Sequence, residues 1–141
     1  MFSGIIETTA PITAALERAG VLQCTIARPA NFDDIKHGDS IAVDGVCLTL
    51  EAFDLNSLTF ALGPETLRVT GWTLQNVLDR VVNLERSLRL NDRIHGHLVT
   101  GHVDALGTVQ ALDREGETLR LTIGIPQTIA PYIWPKGSVA I

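Results

Sequence analysis

The sequence contains part of itself twice. Three short blocks of the first half recur in the second half. Residues 22–29 match residues 119–126, residues 40–43 match residues 138–141, and residues 4–7 match residues 107–110. A period of about a hundred residues is too long for a solenoid. It indicates a duplicated domain instead, and the second copy ends before the Asp-Gly turn that follows the corresponding block in the first copy.

Most of the sequence consists of short apolar runs separated by Gly, Pro, Asn and Asp. The alternation predicts strands at residues 4–7, 21–27, 40–43, 46–53, 58–62 and 81–85. A helical turn is predicted at residues 31–35 with Asn31 as its cap, and another short helix begins at Pro64, where no amide donor is needed. Many closely spaced strands with brief helices indicate a small antiparallel barrel or sandwich.

The hairpin at residues 38–50 carries the most informative side chains. Its Asp44-Gly45 dipeptide favours a tight turn, because Gly accepts a positive φ. On the strand that follows, Leu48 shares a face with Leu50, and Cys47 shares the other face with Thr49. Two interpretations are open at this point: a buried hairpin that tolerates small polar residues, or a site that uses a thiol and a hydroxyl.

Composition and charge restrict the partners. The net charge is −5 and Lys and Arg form no run, which argues against a nucleic-acid partner. No apolar stretch approaches the ~18 residues of a membrane span, and the start lacks the features of a signal peptide. Two cysteines are too few for a disulfide scaffold, so we expect reduced thiols and a cytoplasmic location, with no membrane partner.

Six blocks together resemble the riboflavin synthase family of the α-chain type. They are residues 1–7, 38–50, 64–68, 82–86, 96–104 and 136–141. The resemblance implies an all-β chain, with a six-stranded antiparallel Greek-key barrel followed by the beginning of a second, homologous barrel. It places the first lumazine-binding barrel at residues 1–97 and the incomplete start of the second at residues 98–141. Because the family continues to a helix that assembles a homotrimer, we expect this chain to be truncated within its second barrel.

The same resemblance implies an enzyme, a transferase that needs no cofactor. Two molecules of 6,7-dimethyl-8-ribityllumazine react, and transfer of a four-carbon unit yields riboflavin and 5-amino-6-ribitylaminouracil. The implied partners are this substrate, the product riboflavin, further copies of the chain and lumazine synthase. A non-catalytic module that binds lumazine or riboflavin is the alternative, especially for a chain that ends at Ile141. A flavin-binding oxidoreductase barrel is disfavoured, because its Arg-x-Tyr-Ser motif is missing.

Carried over to matching positions, the resemblance assigns catalytic roles to Cys47, His102, His97, Ser40 and Phe2. The implied ligand-binding residues are Gly4, Ile5, Ile6, Cys47, Leu48, Thr49, Ala61, Leu62, Gly63, Pro64, Glu65, Thr66, Gly101, His102, Val103 and Lys136. Within this set, residues 101–103 and Lys136 are expected at the ligand of the second barrel, and Phe2 is expected to act as a lid. Glu65 suits the ribityl hydroxyls, although a Glu at a helix start is also favoured by the helix dipole.

The remaining cysteine and histidines have simpler interpretations. Cys24 has Leu121 as its counterpart in the repeat, so a structural role is predicted for it. His95, His97 and His102 suggest a metal site, but no nearby thiolate completes a ligand set and the glycine-rich spacing suggests backbone close to a ligand, so no metal is predicted. For His97, acid/base work and a structural hydrogen bond both stay open.

Overall fold

Six antiparallel strands close into a barrel in the computed structural model, which describes all residues from Met1 to Ile141. The strands are β1 (Thr8–Arg18), β2 (Val21–Ala27), β3 (Ser40–Val43), β4 (Val46–Phe53), β5 (Ser57–Leu62) and β6 (Val81–Arg86). Their order is β1-β2-β5-β4-β3-β6, and β6 pairs with β1 to complete the circle. The predicted all-β class and six-stranded Greek-key barrel are thereby confirmed.

Short helices and a second sheet complete the chain. Helices α1 (Pro64–Thr70) and α2 (Leu74–Val77) connect β5 to β6, and a single 3-10 turn spans Ala130–Tyr132. Strands β7 (Thr108–Glu115) and β8 (Thr118–Gly124) form a separate two-stranded sheet, which is the beginning of a second domain. Helix α1 starts as predicted, with Pro64 in the first turn, where helix amides have no partners. Both helices are too short to span a membrane.

The barrel is filled by alternate residues of its strands. In β5, Leu58, Phe60 and Leu62 are fully buried, while the residues between them are partly exposed. The turn between β3 and β4 has the predicted tight geometry, because Asp44 and Gly45 both have positive φ values of 46° and 77°. These inward-facing positions belong to one cluster of 19 buried residues, so the barrel has a single core.

The first strand begins later than the sequence predicts. A strand is expected at residues 4–7 and none in the Ala-rich interval after them, yet β1 occupies that interval from Thr8 to Arg18. Ala10 and Ile12 supply its buried face. Pro11 is tolerated because its neighbour Ile12 donates its N–H to Arg80 O (2.8 Å), so the Pro11 nitrogen points away from β6, and pairing with β2 begins only at Ile12.

Another predicted element, the helical turn at residues 31–35, is wrong. Residues 31–35 form no helical turn, because Phe32 and Ile35 are buried in the core and the Arg28 guanidinium donates to the Phe32 carbonyl (3.0 and 2.8 Å). Residues 138–141 match the sequence of β3 but form no strand. A strand needs a neighbour for its backbone hydrogen bonds, and none lies beside them in this structure.

The β7–β8 hairpin reproduces the β1–β2 hairpin pair for pair. Each of the six β1–β2 pairs has a counterpart in β7–β8 at an offset of 97 residues. Ile12↔Ile26 corresponds to Val109↔Ile123, and Arg18↔Val21 corresponds to Glu115↔Thr118. Both hairpins carry an irregularity at the same place, after Ile12 in β1 and after Val109 in β7. The duplication therefore extends to a β-bulge, and the predicted match of residues 107–110 with residues 4–7 is wrong.

Equivalent residues of the two hairpins differ in burial. Leu22 of β2 is 1% exposed, whereas its counterpart Leu119 in β8 is 56% exposed. Cys24 is buried, and its counterpart Leu121 is exposed. The face that lines the core of the first barrel is thus an open apolar face in the β7–β8 sheet.

Candidate functional site

The outer face of β4 carries a thiol and a hydroxyl, as the alternation predicts. Leu48 and Leu50 point into the barrel and are buried, whereas Cys47 is half-buried and Thr49 is exposed on the opposite face. Ser40 lies directly opposite Thr49 in the β3–β4 ladder, so the two hydroxyls adjoin. Leu48 is therefore available to a ligand only through its backbone.

Residues 61–66 run from the end of β5 into α1. The pairing of β5 with β4 ends at Leu50↔Phe60, before this stretch. Leu62 is buried in the core, so it too offers only backbone groups. Glu65 forms an exposed ion pair with Arg68, with 2.5 Å between Oε1 and Nη2, and hydrogen bonds from Arg68 hold the pKa of Glu65 below its usual value.

The N-terminal segment (residues 1–7) pairs with the 96–101 segment. Phe2 N–H donates to Val99 O (2.8 Å) and Val99 N–H donates back to Phe2 O (3.0 Å), which makes a two-bond antiparallel bridge. His97 N–H donates to Ser3 O (3.1 Å). Phe2 is 1% exposed. The second residue of the chain is therefore packed and hydrogen-bonded, not a frayed end.

Gly101 lies against Cys47. Cys47 N–H donates to Gly101 O (2.8 Å), and Gly101 has a φ of +76°. A methyl group at Gly101 would lie 2.8 Å from Cβ of Cys47 and 3.1 Å from Cε2 of Phe2. The sequence assigns residues 101–103 to a second-barrel ligand, but the structure brings Gly101 to the first barrel, because the chain crosses back over β4 here.

The histidines occupy different surroundings. The His97 imidazole packs on Gly4, where a Cβ would lie 3.7 Å from its Cε1 atom. His102 is exposed, and its backbone N–H is bonded to the Thr100 hydroxyl (3.2 Å). Lys136 lies in an exposed turn with a φ of 61°. The structure thus gathers Phe2, Gly4, Cys47, His97 and Gly101 into one neighbourhood, which does not include Lys136.

Two clefts flank this neighbourhood. One of about 900 Å³ is lined by Ser3, Ser40 and Glu85 among charged residues of β6 and the following loop. The other, of about 1060 Å³, is lined on one side by residues 97–107 and on the other by residues 138–141. Cys47, Thr49 and residues 61–66 line neither cleft, whereas Ile5, predicted at the same ligand, lines the first. The predicted first-barrel residues are therefore not gathered in one of these two clefts.

Glu85 is a site-forming residue that the sequence does not reveal. It follows the pattern Val82-Asn83-Leu84, in which alternate residues are buried, so alternation would place it outside. It is buried nonetheless, and its carboxylate accepts hydrogen bonds from Ser3 and Gly4. The hydrogen bonds that compensate this burial come from the N-terminal segment, and no local pattern indicates where that segment lies.

An ion-pair cluster fixes the other end of the N-terminal segment. The Arg86 guanidinium pairs with Glu7 (2.6 Å) and Asp34, and lies 4.8 Å from the ring centroid of Phe32. Burial raises the pKa of Glu7, but hydrogen bonds and charge from Arg86 outweigh it, so that pKa lies below its usual value. Glu7 therefore stays ionised and tied to β6.

The two cysteines form no disulfide and differ in burial. Cys24 is buried in the barrel core, and this burial raises the pKa of its thiol to about 11. A thiol with so high a pKa remains protonated and unreactive at neutral pH. The predicted structural role of Cys24 is confirmed, while Cys47 is left as the accessible thiol.

Comparison with known proteins gives consistent relatives. A family described as "Lumazine binding domain" matches residues 3–87 and 100–141. The riboflavin synthase of Photobacterium phosphoreum is 35% identical over 142 residues, covering 100% of this chain and 65% of its own length. Those of Chlamydia muridarum (39%) and Mycobacterium bovis (36%) are covered to 68% and 70% of their lengths, with all of this chain matched. The chain thus spans 65–70% of the length of these curated relatives.

Solved structures share the fold. LumP complexed with riboflavin superposes with a TM-score of 0.81 at 21% identity, covering 94% of this chain and 72% of that chain. LumP complexed with 6,7-dimethyl-8-(1'-D-ribityl) lumazine gives a TM-score of 0.78 at 21% identity, covering 94% and 71%. At this level of identity the likeness establishes the architecture of the barrel.

Proposed function

This chain belongs to the riboflavin synthase family, and we therefore propose that its first barrel binds 6,7-dimethyl-8-ribityllumazine. The whole protein then converts two such molecules into riboflavin and 5-amino-6-ribitylaminouracil. The observation that supports this most is the packing of Gly101 against Cys47 beside Phe2. Three parts of the chain that were each assigned to ligand binding from separate motifs meet at one place.

The proposed reaction needs no further reactant. A proton leaves the C7 methyl group of one lumazine, and a nucleophile adds at C7 of the other. The two products together contain every atom of the two substrates, so transfer of the four-carbon unit requires no oxidant or reductant. Holding two ligands in a reactive register supplies most of the rate, and groups such as the Cys47 thiol and the His97 imidazole assist in proton transfer.

In this proposal the first barrel holds one ligand flat on the outer face of β4. Backbone groups of residues 47–49 and 61–63 meet the heterocycle, and the Thr49 and Ser40 hydroxyls adjoin it. Glu65 and Thr66 face the ribityl chain. The second ligand is held by a homologous barrel, so self-association is part of the proposal. The homotrimer, the cytoplasmic location and lumazine synthase as a partner stay predictions of the resemblance, as does the domain boundary between residues 97 and 98.

A non-catalytic lumazine-binding module is the second candidate. The observation that favours it is the closure of the first barrel within residues 8–86, with a complete core of its own. Such a barrel has what it needs to hold one ligand. A barrel that holds a single ligand can bind it but cannot catalyse the reaction, because the reaction consumes two lumazine molecules.

The test is a fluorescence titration of the 141-residue chain with 6,7-dimethyl-8-ribityllumazine, combined with a turnover assay that follows riboflavin formation. We expect saturable binding that Glu65→Gln weakens about tenfold, the effect of losing one hydrogen bond to a charged group. Glu117→Gln is the matched control, because Glu117 lies in the β7–β8 loop, away from these residues. It should bind as the unchanged chain does.

The outcomes separate the candidates. Saturable binding with riboflavin formation that Cys47→Ala abolishes supports the synthase. Saturable binding without turnover, at any protein concentration, favours the binding module for this chain. If neither lumazine nor riboflavin binds to the folded chain, the proposed site is refuted.

A further inference from the structure

Glu85 is the only charged residue buried in this structure, and the function proposed above assigns it no part. It lies on β6 and is 4% exposed. None of the ion pairs of the structure includes it. A buried carboxylate is unfavourable unless hydrogen bonds compensate the lost water. The donors that compensate Glu85 are therefore part of what stabilises this region.

All of these donors come from the N-terminal segment. Oε1 accepts from Ser3 N–H (2.6 Å) and from the Ser3 hydroxyl (2.7 Å), and Oε2 accepts from Gly4 N–H (3.1 Å). Bonds to an ionised acceptor are stronger than bonds between neutral groups. The carboxylate thus fixes two consecutive residues of a segment that belongs to no strand of the barrel.

The anchored residues hold the 96–101 segment in turn. Phe2, next to Ser3, makes the two-bond bridge with Val99, and Ser3 O accepts the His97 N–H. The two segments are so close that a Cβ at Gly96 would lie 2.2 Å from Ser3 O. The contacts run without a gap from Glu85 through the N-terminal segment and the 96–101 segment to Cys47.

We propose that Glu85 is a positioning residue, whose carboxylate holds the N-terminal segment so that the Phe2 ring is fixed beside Cys47 at the lumazine site. The identity of the ligand in this inference rests on the proposed function, whereas the role of Glu85 in holding the N-terminal segment does not. The three hydrogen bonds of its carboxylate all come from Ser3 and Gly4, so we assign Glu85 to the N-terminal segment and not to the ligand. Its effect on binding passes through Phe2.

Two measurements on the 141-residue chain test this role. The first is amide hydrogen exchange by NMR without ligand. In Glu85→Gln the amide end of the side chain faces N–H donors, so Ser3, Gly4 and Val99 amides should exchange about tenfold faster or more, the equivalent of one lost charged hydrogen bond. Amides of the β2–β5 ladder should keep their rates. Glu51→Gln is the matched control, because Glu51 is exposed on β4 and has no side-chain hydrogen bond.

The second measurement is the dissociation constant for 6,7-dimethyl-8-ribityllumazine in a double-mutant cycle with Phe2→Ala. Each single variant should bind about tenfold more weakly, and the double variant should bind no more weakly than Phe2→Ala alone. A residue that merely stabilised the barrel would give additive losses and faster exchange throughout the barrel. Additive losses, or unchanged exchange at residues 3, 4 and 99, would overturn the proposal.

A variant of a hydrogen-bond donor tests the same proposal if Glu85→Gln does not fold. Ser3→Ala removes one of the three donors, so it should raise the same exchange rates by a smaller factor, while Ser3→Thr keeps the hydroxyl and should restore them. Equal rates in Ser3→Ala and the unchanged chain would overturn the anchor. If the unchanged chain binds no lumazine, the proposed function is refuted, and the exchange data alone decide whether Glu85 positions the segment.

Discussion

Replacing Gly101 with Ala should separate the Gly101 end of the 96–101 segment from Cys47 on the first barrel. Gly101 combines a positive φ with a close approach to a neighbouring backbone. Its carbonyl accepts the Cys47 N–H at 2.8 Å, so the position of this glycine decides whether the crossing segment stays on β4. The change is one methyl group, and its surroundings are known.

Two contributions set the magnitude. An L-residue in the left-handed region costs roughly 1–2 kcal/mol. The new methyl group would also lie 2.8 Å from Cβ and 2.9 Å from N of Cys47, atoms that no side-chain rotation can move. Overpacking of this kind costs about 1–3 kcal/mol. The sum of about 2–5 kcal/mol exceeds the roughly 0.5–1.5 kcal/mol that the Cys47–Gly101 hydrogen bond returns, so Gly101 should leave Cys47. The hydrogen bonds of His97 and Val99 to the N-terminal segment are not strained by this change, and the barrel should stay folded.

Hydrogen exchange of the Cys47 amide reports this detachment directly, because Gly101 O is its acceptor. In Gly101→Ala we expect fast exchange at Cys47, retained protection in the β2–β5 ladder, and lumazine affinity reduced about tenfold or more. Gly116→Ala is the control: its φ of +64° gives the same backbone strain, but no atom lies within 4 Å of the new methyl group. A protected Cys47 amide and unchanged affinity in Gly101→Ala would show that this contact does not hold the segment.

Two further predictions concern stability. Leu22→Ala should lower the free energy of unfolding in urea by about 2–5 kcal/mol, whereas Leu119→Ala, at the equivalent but open position, should change it by about 0.5 kcal/mol or less; similar losses would contradict the burial difference between the two hairpins. The lowered pKa of Glu7 means that its ion pair stabilises the fold fully above the unfolded value of 4.5 and is lost as pH falls through the folded value. In Glu7→Gln the free energy of unfolding should therefore decrease less as the pH is lowered than it does in the unchanged chain. An acid transition that is the same in both would argue against this ion pair.

Most of the barrel is predictable because its strands alternate cleanly and its turns are marked. β5 and the turn at Asp44-Gly45 follow directly from these local rules. β1 escapes them, because its alanines and its proline are residues that strands usually avoid, although it also contains threonines and an isoleucine. Its place is decided in part by pairing with β6, about seventy residues away along the chain, and a local pattern does not contain that pairing.

The candidate site divides in the same way. Alternation alone puts Cys47 and Thr49 on the outer face of β4, and the structure agrees. The contact of Cys47 with Gly101 joins residues more than fifty positions apart, so spacing offers no indication of it. Glu85 is harder still, because it breaks the alternation of its own strand and becomes intelligible only once Ser3 and Gly4 are placed against it.

The two hairpins of the repeat separate what is local in this fold from what is not. β1–β2 lies within a closed barrel and β7–β8 does not, yet all six β1–β2 pairs and the bulge recur in β7–β8 at an offset of 97 residues. The register is therefore set within each hairpin, by a two-residue loop in both and by the bulge, because loop length fixes pairing. Closure of the barrel buries the apolar face of a hairpin whose strand register is already set. The open face of β8 still carries leucine at positions 119 and 121, so this hairpin has both the register and the apolar face of a barrel wall.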